Sequence, residues 1–169
     1  MGAIYVFKSK EGKAVGKVNI HDVANYFRSC VDESAGASIT HLKLQKLCYY
    51  AQAWHLVFNG KPLFEEEFQA WVHGPACPEL WHEYKEFYWQ SIPRSDCDPS
   101  IFDEEQIETL QAVWDAYGQY DGKYLEELTH QEPPWINARR GYDPGDKCTN
   151  AIAHKSMIEY YSTLIGSNE

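Results

Sequence analysis

The stretch from Thr40 to Asn59 constrains the fold more than any other part of the chain. Placed on a helix at about 100° per residue, His41, Gln45, Gln52, His55 and Asn59 form one narrow polar stripe. Almost everything else there is apolar: Leu42, Leu44, Leu47, Cys48, Tyr49, Tyr50, Ala51, Ala53, Trp54, Leu56, Val57 and Phe58. A helix so apolar around its circumference belongs at the centre of a core. Thr40 suits its N-cap, and Gly60 after Asn59 suits a left-handed stop. The 169 residues suffice to bury such a core without a disulfide or metal staple and match the size of one domain.

The flanking elements are read by the same rules. Ile20, Val23, Ala24, Phe27 and Val31 recur at helical spacing, which predicts a helix from Ile20 to Val31 behind the cap Asn19. Asp32 to Ser38 breaks it. Phe68 to Val72 reads as a short strand ending at the breaker His73-Gly74-Pro75, and Pro78 opens a short helix through Phe87. Ile92 to Ser100, with its prolines, is a loop or minor strand. Asp103 and Gln106 form a capping box for a helix reaching Tyr117. A shorter helix from Lys123 to His130 must end before Pro133-Pro134, and a last one is expected from Asn150 to Leu164. The expected fold is mainly α: a compact bundle of five to six helices around the central apolar helix, with a minor short β element. Residues 1–18 would be an arm or short hairpin, and residues 19–165 one helical domain.

Charge narrows the function classes. Against 25 acidic residues stand 15 basic ones, a net charge of -10, and no basic run exceeds Arg139-Arg140. Gripping the nucleic-acid backbone needs several cations on one face, so direct nucleic-acid binding is not expected. The acidic balance favours solubility and suits a basic partner. Six Trp and twelve Tyr serve both cores and binding surfaces. The five cysteines are odd in number and include no CxxC pair, which fits reduced thiols. Neither a signal-peptide core nor a membrane-length apolar run is present, and Val6 occupies the Ser/Thr position of a myristoylation signal. The expected location is the cytoplasm, with no membrane partner and with a homo-oligomer compatible with the composition.

No local motif carries catalysis. There is no HExxH, and the His73–Cys77 spacing is interrupted by Gly74 and Pro75. His41 and His55 would lie about 21 Å apart along their helix. No Walker A loop, GxGxxG or nucleophile signature occurs, so no catalytic residue, cofactor or metal is assigned. Glu65-Glu66-Glu67 reads as a solvated run, and Asp103-Glu104-Glu105 as a dipole-favoured first helical turn. Lys43 and Lys46 lie on the side of the central helix that carries Tyr50 and Val57. Either their stems cover apolar surface while the ammonium groups reach water, or they pair with acidic groups at a site or interface. Trp71 to Pro75 forms an aromatic segment with a rigid Gly-Pro turn that can fix how two elements pack. Trp135 can lock a loop onto the core, and Arg139 and Arg140 are candidates for anion or carboxylate contacts.

Three blocks of the chain carry a family resemblance: LKLQKLCYYAQ within the central helix, the HGP turn after an aromatic segment, and THQEPPW followed by Ala-Arg. Together, in this order and over roughly His21 to Tyr161, they resemble the Panacea domain of SocA-like and phage-associated GepA-like proteins. The resemblance implies a mostly helical fold and an antitoxin of a two-gene toxin–antitoxin system. Its partner would be a cognate toxin protein, encoded by an adjacent gene and neutralised by direct contact. Two alternatives accompany it: an adapter delivering a client to a ClpXP-type protease, and a phage-derived enzyme or metal protein. The resemblance assigns Lys46, Tyr50, Gly74, Pro75 and Trp135 as signature positions; Lys43, His73 and Arg139 join them as candidate partner-binding residues. Some members carry a helix-turn-helix module, for which the short arm here leaves no room, so operator binding is not expected.

Overall fold

The computed structural model describes residues 17–166, so most of the arm expected over residues 1–18 lies outside it. Among the described residues the fold is mainly α, with seven α-helices and one two-stranded antiparallel sheet. The helices are α1 (Ile20–Ser29), α2 (His41–Asn59), α3 (Pro78–Tyr84), α4 (Glu104–Tyr117), α5 (Gly122–Thr129), α6 (Pro133–Ala138) and α7 (His154–Gly166). The strands are β1 (Gln69–Trp71) and β2 (Gly74–Ala76).

Helix α2 is the axis of the molecule. It starts at Thr40, whose side chain accepts from the Lys43 amide, and ends at Gly60 in the left-handed region at φ 70°. Around it pack α1, α3, α4, α5, α7 and β2. The capping box of α4 forms as expected, with Asp103 and Gln106 each bonding the other's backbone amide. Glu66 is not merely solvated, because its carboxylate accepts from the Ile20 amide at 3.1 Å and so caps α1.

The polar stripe of α2 is not a solvent-facing seam. His41, Gln45, Gln52 and His55 are all buried. Each glutamine acts as a surrogate strand. The Gln45 amide group donates to the Cys77 carbonyl at 3.2 Å and accepts from the Cys77 amide at 2.8 Å. One heptad further on, Gln52 donates to the Phe64 carbonyl at 2.7 Å and accepts from the Leu63 amide at 2.7 Å. His55 Nδ1 lies 2.9 Å from Thr109 Oγ1, which ties α2 to α4. Two extended segments that cross the core therefore find their backbone partners on helical side chains.

Several boundaries differ from expectation. Helix α1 stops at Ser29 rather than Val31, with Cys30 as its C-cap. The HGP segment does more than end a strand: it enters β2, and Gln69 pairs with Ala76, Ala70 with Pro75 and Trp71 with Gly74. Pro133-Pro134 opens α6, because proline at the first helical positions lacks only an amide that would be unpaired anyway. The last helix begins at His154, not Asn150. Residues 150–152 instead pair with the open edge of β1, through Ala70 N to Asn150 O at 2.9 Å and Ile152 N to Phe68 O at 2.8 Å.

Replacing Gln52 by Leu keeps the volume but strands a buried amide and a buried carbonyl. The expected loss is about 2–4 kcal/mol of stability, read from urea unfolding at unchanged helical circular dichroism.

Candidate functional site

Of the positions the resemblance singles out, Lys46, Gly74, Pro75 and Trp135 converge on the β1–β2 hairpin. With Trp71 opposite Gly74, the loop is Val72-His73, and Gly74 closes it at φ 96°, a conformation that L side chains rarely adopt. A Cβ on Gly74 would lie 2.6 Å from Lys46 Cε and 2.8 Å from Thr129 Oγ1. The hairpin thus presses its backbone directly onto α2 and α5. Beneath it Lys46, 1% exposed, donates from Nζ to the Pro75 carbonyl at 3.1 Å. Burial pushes the Lys46 ammonium down to about 7, opposed by the charge of Glu126.

The sequence reading in which both ammonium groups reach water does not hold, since both side chains are buried. The Lys46 charge does not reach water, and its hydrogen-bond acceptor is a carbonyl rather than a carboxylate. Lys43 is also buried, and it lies away from the hairpin. Its Nζ donates to the Gly118 carbonyl at 2.6 Å and sits 5.5 Å from the centre of the Trp114 ring. It therefore caps the C-terminus of α4, where a cation is favoured.

Helix α5 supplies the acidic side of the hairpin. Glu126 accepts from His73 Nδ1 at 2.7 Å and pairs with Lys123 at 3.2 Å. Burial pushes its carboxyl up, but the bonds from His73 and Lys123 outweigh that and hold it below the usual range. His130 stacks on Trp135 with ring centres 4.1 Å apart, and its ring also bonds the Val72 backbone. Its Nε2 is buried with no hydrogen-bond partner among the described residues. Burial is the main cause that lowers the His130 pKa, so a neutral ring suits this position.

Trp135 and Arg139 close the far side. Trp135 Nε1 donates to the Trp71 carbonyl at 2.8 Å, and the Arg139 guanidinium lies 5.0 Å from the Trp135 ring centre. Arg139 donates to the carbonyls of Ala70 at 2.8 Å, Asp143 at 2.9 Å, Pro144 at 3.3 Å and Asp146 at 2.6 Å. The expected anion or carboxylate contact is therefore corrected: this buried guanidinium is spent on backbone carbonyls, which the five fixed donors of Arg suit. Arg140 is exposed and reaches Asn137 Oδ1 at 3.3 Å.

Tyr50 belongs to an adjoining network between α2, α6 and α7. Its hydroxyl donates to Glu132 Oε1 at 2.7 Å, Tyr161 donates to the same oxygen at 2.9 Å, and the Tyr49 and Tyr161 hydroxyls are 3.1 Å apart. Tyr50 also stacks flat on Tyr117, 4.0 Å between centres. Burial raises Glu132 to about 7, against the two tyrosine bonds that lower it. Nothing in the sequence singles out Glu126 or Tyr161, and His130 and Glu132 stand out there only as members of the THQEPPW block. Glu126, Thr129 and His130 do share one helical face by their spacing, but acidic residues on a short helix read as solvated. Only the packing of the hairpin against α5 reveals otherwise.

The arrangement braces a hairpin rather than presenting open chemistry: its charged groups point at partners inside the protein. Among the described residues no three His, Cys, Asp or Glu side chains are grouped to hold a metal ion, and no helix is long and apolar enough to cross a membrane. Two tests follow from this geometry. Gly74→Ala adds a methyl group into Lys46 at a strained φ, and is expected to cost about 2–5 kcal/mol in chemical unfolding. Glu132 holds its proton more tightly folded than unfolded, so its contribution is full below pH 4.5 and is lost as pH rises through about 7. Relative to Glu132→Gln, which keeps an oxygen for both tyrosines, wild-type stability should fall by on the order of 2–3 kcal/mol from pH 4.5 to 7.5. Parallel unfolding curves of the two proteins at each pH check this.

The family model described as antitoxin SocA-like, Panacea domain, matches residues 44–136. That span covers more than half of the chain and takes in Lys46, Tyr50, His73, Gly74, Pro75 and Trp135, leaving Lys43 and Arg139 outside. No curated protein and no solved structure matches the chain. The matched span contains most of α2, the whole hairpin and α5, which are the parts that meet around Lys46, and on that match the chain belongs to the SocA-like antitoxin, Panacea-domain family.

Proposed function

We propose that this chain is an antitoxin-like binding module, without enzymatic activity, that neutralises a cognate protein toxin by direct contact. Family membership carries the reading, and the fate of the polar signature residues supports it. Lys46, Tyr50, Glu126, Glu132 and Arg139 spend their polar groups inside the protein. They hold a scaffold, and recognition falls to what that scaffold displays. Large apolar side chains are exposed on it, among them Phe58, Trp81, Tyr88, Trp89, Tyr124 and Tyr142. Trp and Tyr are the residues that most often anchor protein interfaces. The net charge of -10 adds attraction for a basic partner and speeds encounter at low salt.

The partner of this reading is the product of a neighbouring gene. Inducing that gene alone should stop growth, and inducing both should restore colony counts by at least about a hundredfold; this would be the phenotype of a complex tighter than micromolar. The reading is lost if the neighbour is harmless alone, or if it kills equally well with this chain present.

A further inference from the structure

The loop after α3 carries an anomaly that the fold itself does not explain. Helix α3 runs into a 3-10 turn at Lys85–Phe87, and the Gln90 amide then donates to the Phe87 carbonyl at 2.9 Å. That bond closes a four-residue turn with Tyr88 at its first central position. Tyr88 has φ 52° and ψ -119°, which are the angles of a type II′ turn, where glycine is the favoured residue. Among the described residues it is the one non-glycine residue at positive φ. A side chain held there costs about 1–3 kcal/mol of backbone strain.

Interior packing does not account for that cost. Tyr88 is 65% exposed and Trp89 is 85% exposed, the two most exposed large apolar side chains of the described residues. Their rings lie 6.0 Å apart. The turn is nonetheless firmly seated. Phe87 packs on the core, Tyr84 is buried, Ser91 is bridged to Thr40, and the Ile92 amide donates to the Ile39 carbonyl at 2.8 Å. A strained, rigid knuckle thus holds two adjacent aromatics in water. Rigid aromatics lose little freedom on binding, which is the property of an interface anchor.

The charges nearby in sequence point to the kind of partner. The exposed segment leading into the knuckle carries Glu79, Glu83 and Glu86 against Lys85, whose Nζ lies 5.2 Å from the Trp81 ring centre. The segment after it adds Arg94, already paired with Asp96 at 2.9 Å, so the flanks are acidic on balance. A second copy of this chain would bring the same carboxylates and the same net charge of -10 against itself. An anionic lipid surface would be repelled likewise. We infer that the Tyr88-Trp89 knuckle is the anchor that this chain inserts into an apolar cleft of a basic protein, with the flanking glutamates meeting Lys or Arg on the cleft's rim. This inference rests on the antitoxin reading and names the surface that carries it.

The full-length chain with Tyr88→Gly or Trp89→Ala provides the test, measured for thermal unfolding and for affinity to the purified product of the neighbouring gene. Tyr88→Gly should melt at or above the wild-type temperature, because it relieves the turn, and Trp89→Ala should melt near it. Each should weaken binding by at least about tenfold, and raising the salt should weaken the wild-type complex too. Wild-type binding retained within about twofold in both variants overturns the knuckle and leaves the antitoxin reading standing. A wild-type chain that does not bind the neighbour's product overturns both. A Tyr88→Gly melting point lower by more than about 4 °C makes the ring a packing residue and overturns the inference through stability alone. Self-association or vesicle binding that Trp89→Ala abolishes, with affinity for the neighbour unchanged, assigns the knuckle elsewhere and overturns it as well.

Discussion

A helix packed against neighbours along most of its length leaves its polar side chains little access to water. Most polar groups on α2 find their partners within the fold, and much of the architecture answers that demand. Gln45 and Gln52 serve as backbone partners for segments that would otherwise leave amides and carbonyls unpaired in the core. Lys43 ends α4 and Lys46 carries the hairpin. The enclosed helix thus works as a rack: apolar side chains fill the space around it, and polar ones fix which segment lies where.

The hairpin is the most tightly specified of those segments. It is two strands of three residues each, too short to stand alone, and support reaches it from several directions. Lys46 holds the Pro75 carbonyl, Trp135 the Trp71 carbonyl, Arg139 the Ala70 carbonyl, and residues 150–152 pair with its open edge. Glycine at position 74 is what lets the lysine stem pass so close to the backbone. Breaking one of these bonds would leave a buried partner exposed to no solvent, a larger loss than the bond's own net worth. Residues from distant parts of the chain thus depend on one another around this hairpin.

Such a scaffold carries tension as well as support. A buried ammonium and a buried carboxyl whose pKa values both lie near 7 are held in place by their hydrogen bonds, not by comfort in their surroundings. Tyr88 adds a strained turn at the surface. The two kinds of tension differ in what they explain. The interior groups tie α2 to the hairpin, to the start of α6 and to α7, whereas the surface turn holds Tyr88 and Trp89 in solvent.

Much of this was legible without a structure. The bounds of α2, the capping box of α4, the strand before His73 and the Pro78 helix start follow from short-range rules of periodicity and capping, so a linear reading recovers them. The family resemblance was legible for the same reason, since its blocks are contiguous. Solvent exposure was not. Lys43 and Lys46 could be read as snorkelling cations or as partners of acidic groups, and nothing singled out Glu126, because charge in a sequence defaults to water. Residues 150–152 read as helix because their pairing partner lies some eighty positions upstream, and α6 was hidden by prolines that start a helix as readily as they stop one. The amino-acid order determined which segments could be helices and that one of them had to be buried. Only the tertiary structure decided which charges went inside with it, because burial of a charge depends on a carbonyl or ring brought from elsewhere in the chain to receive it.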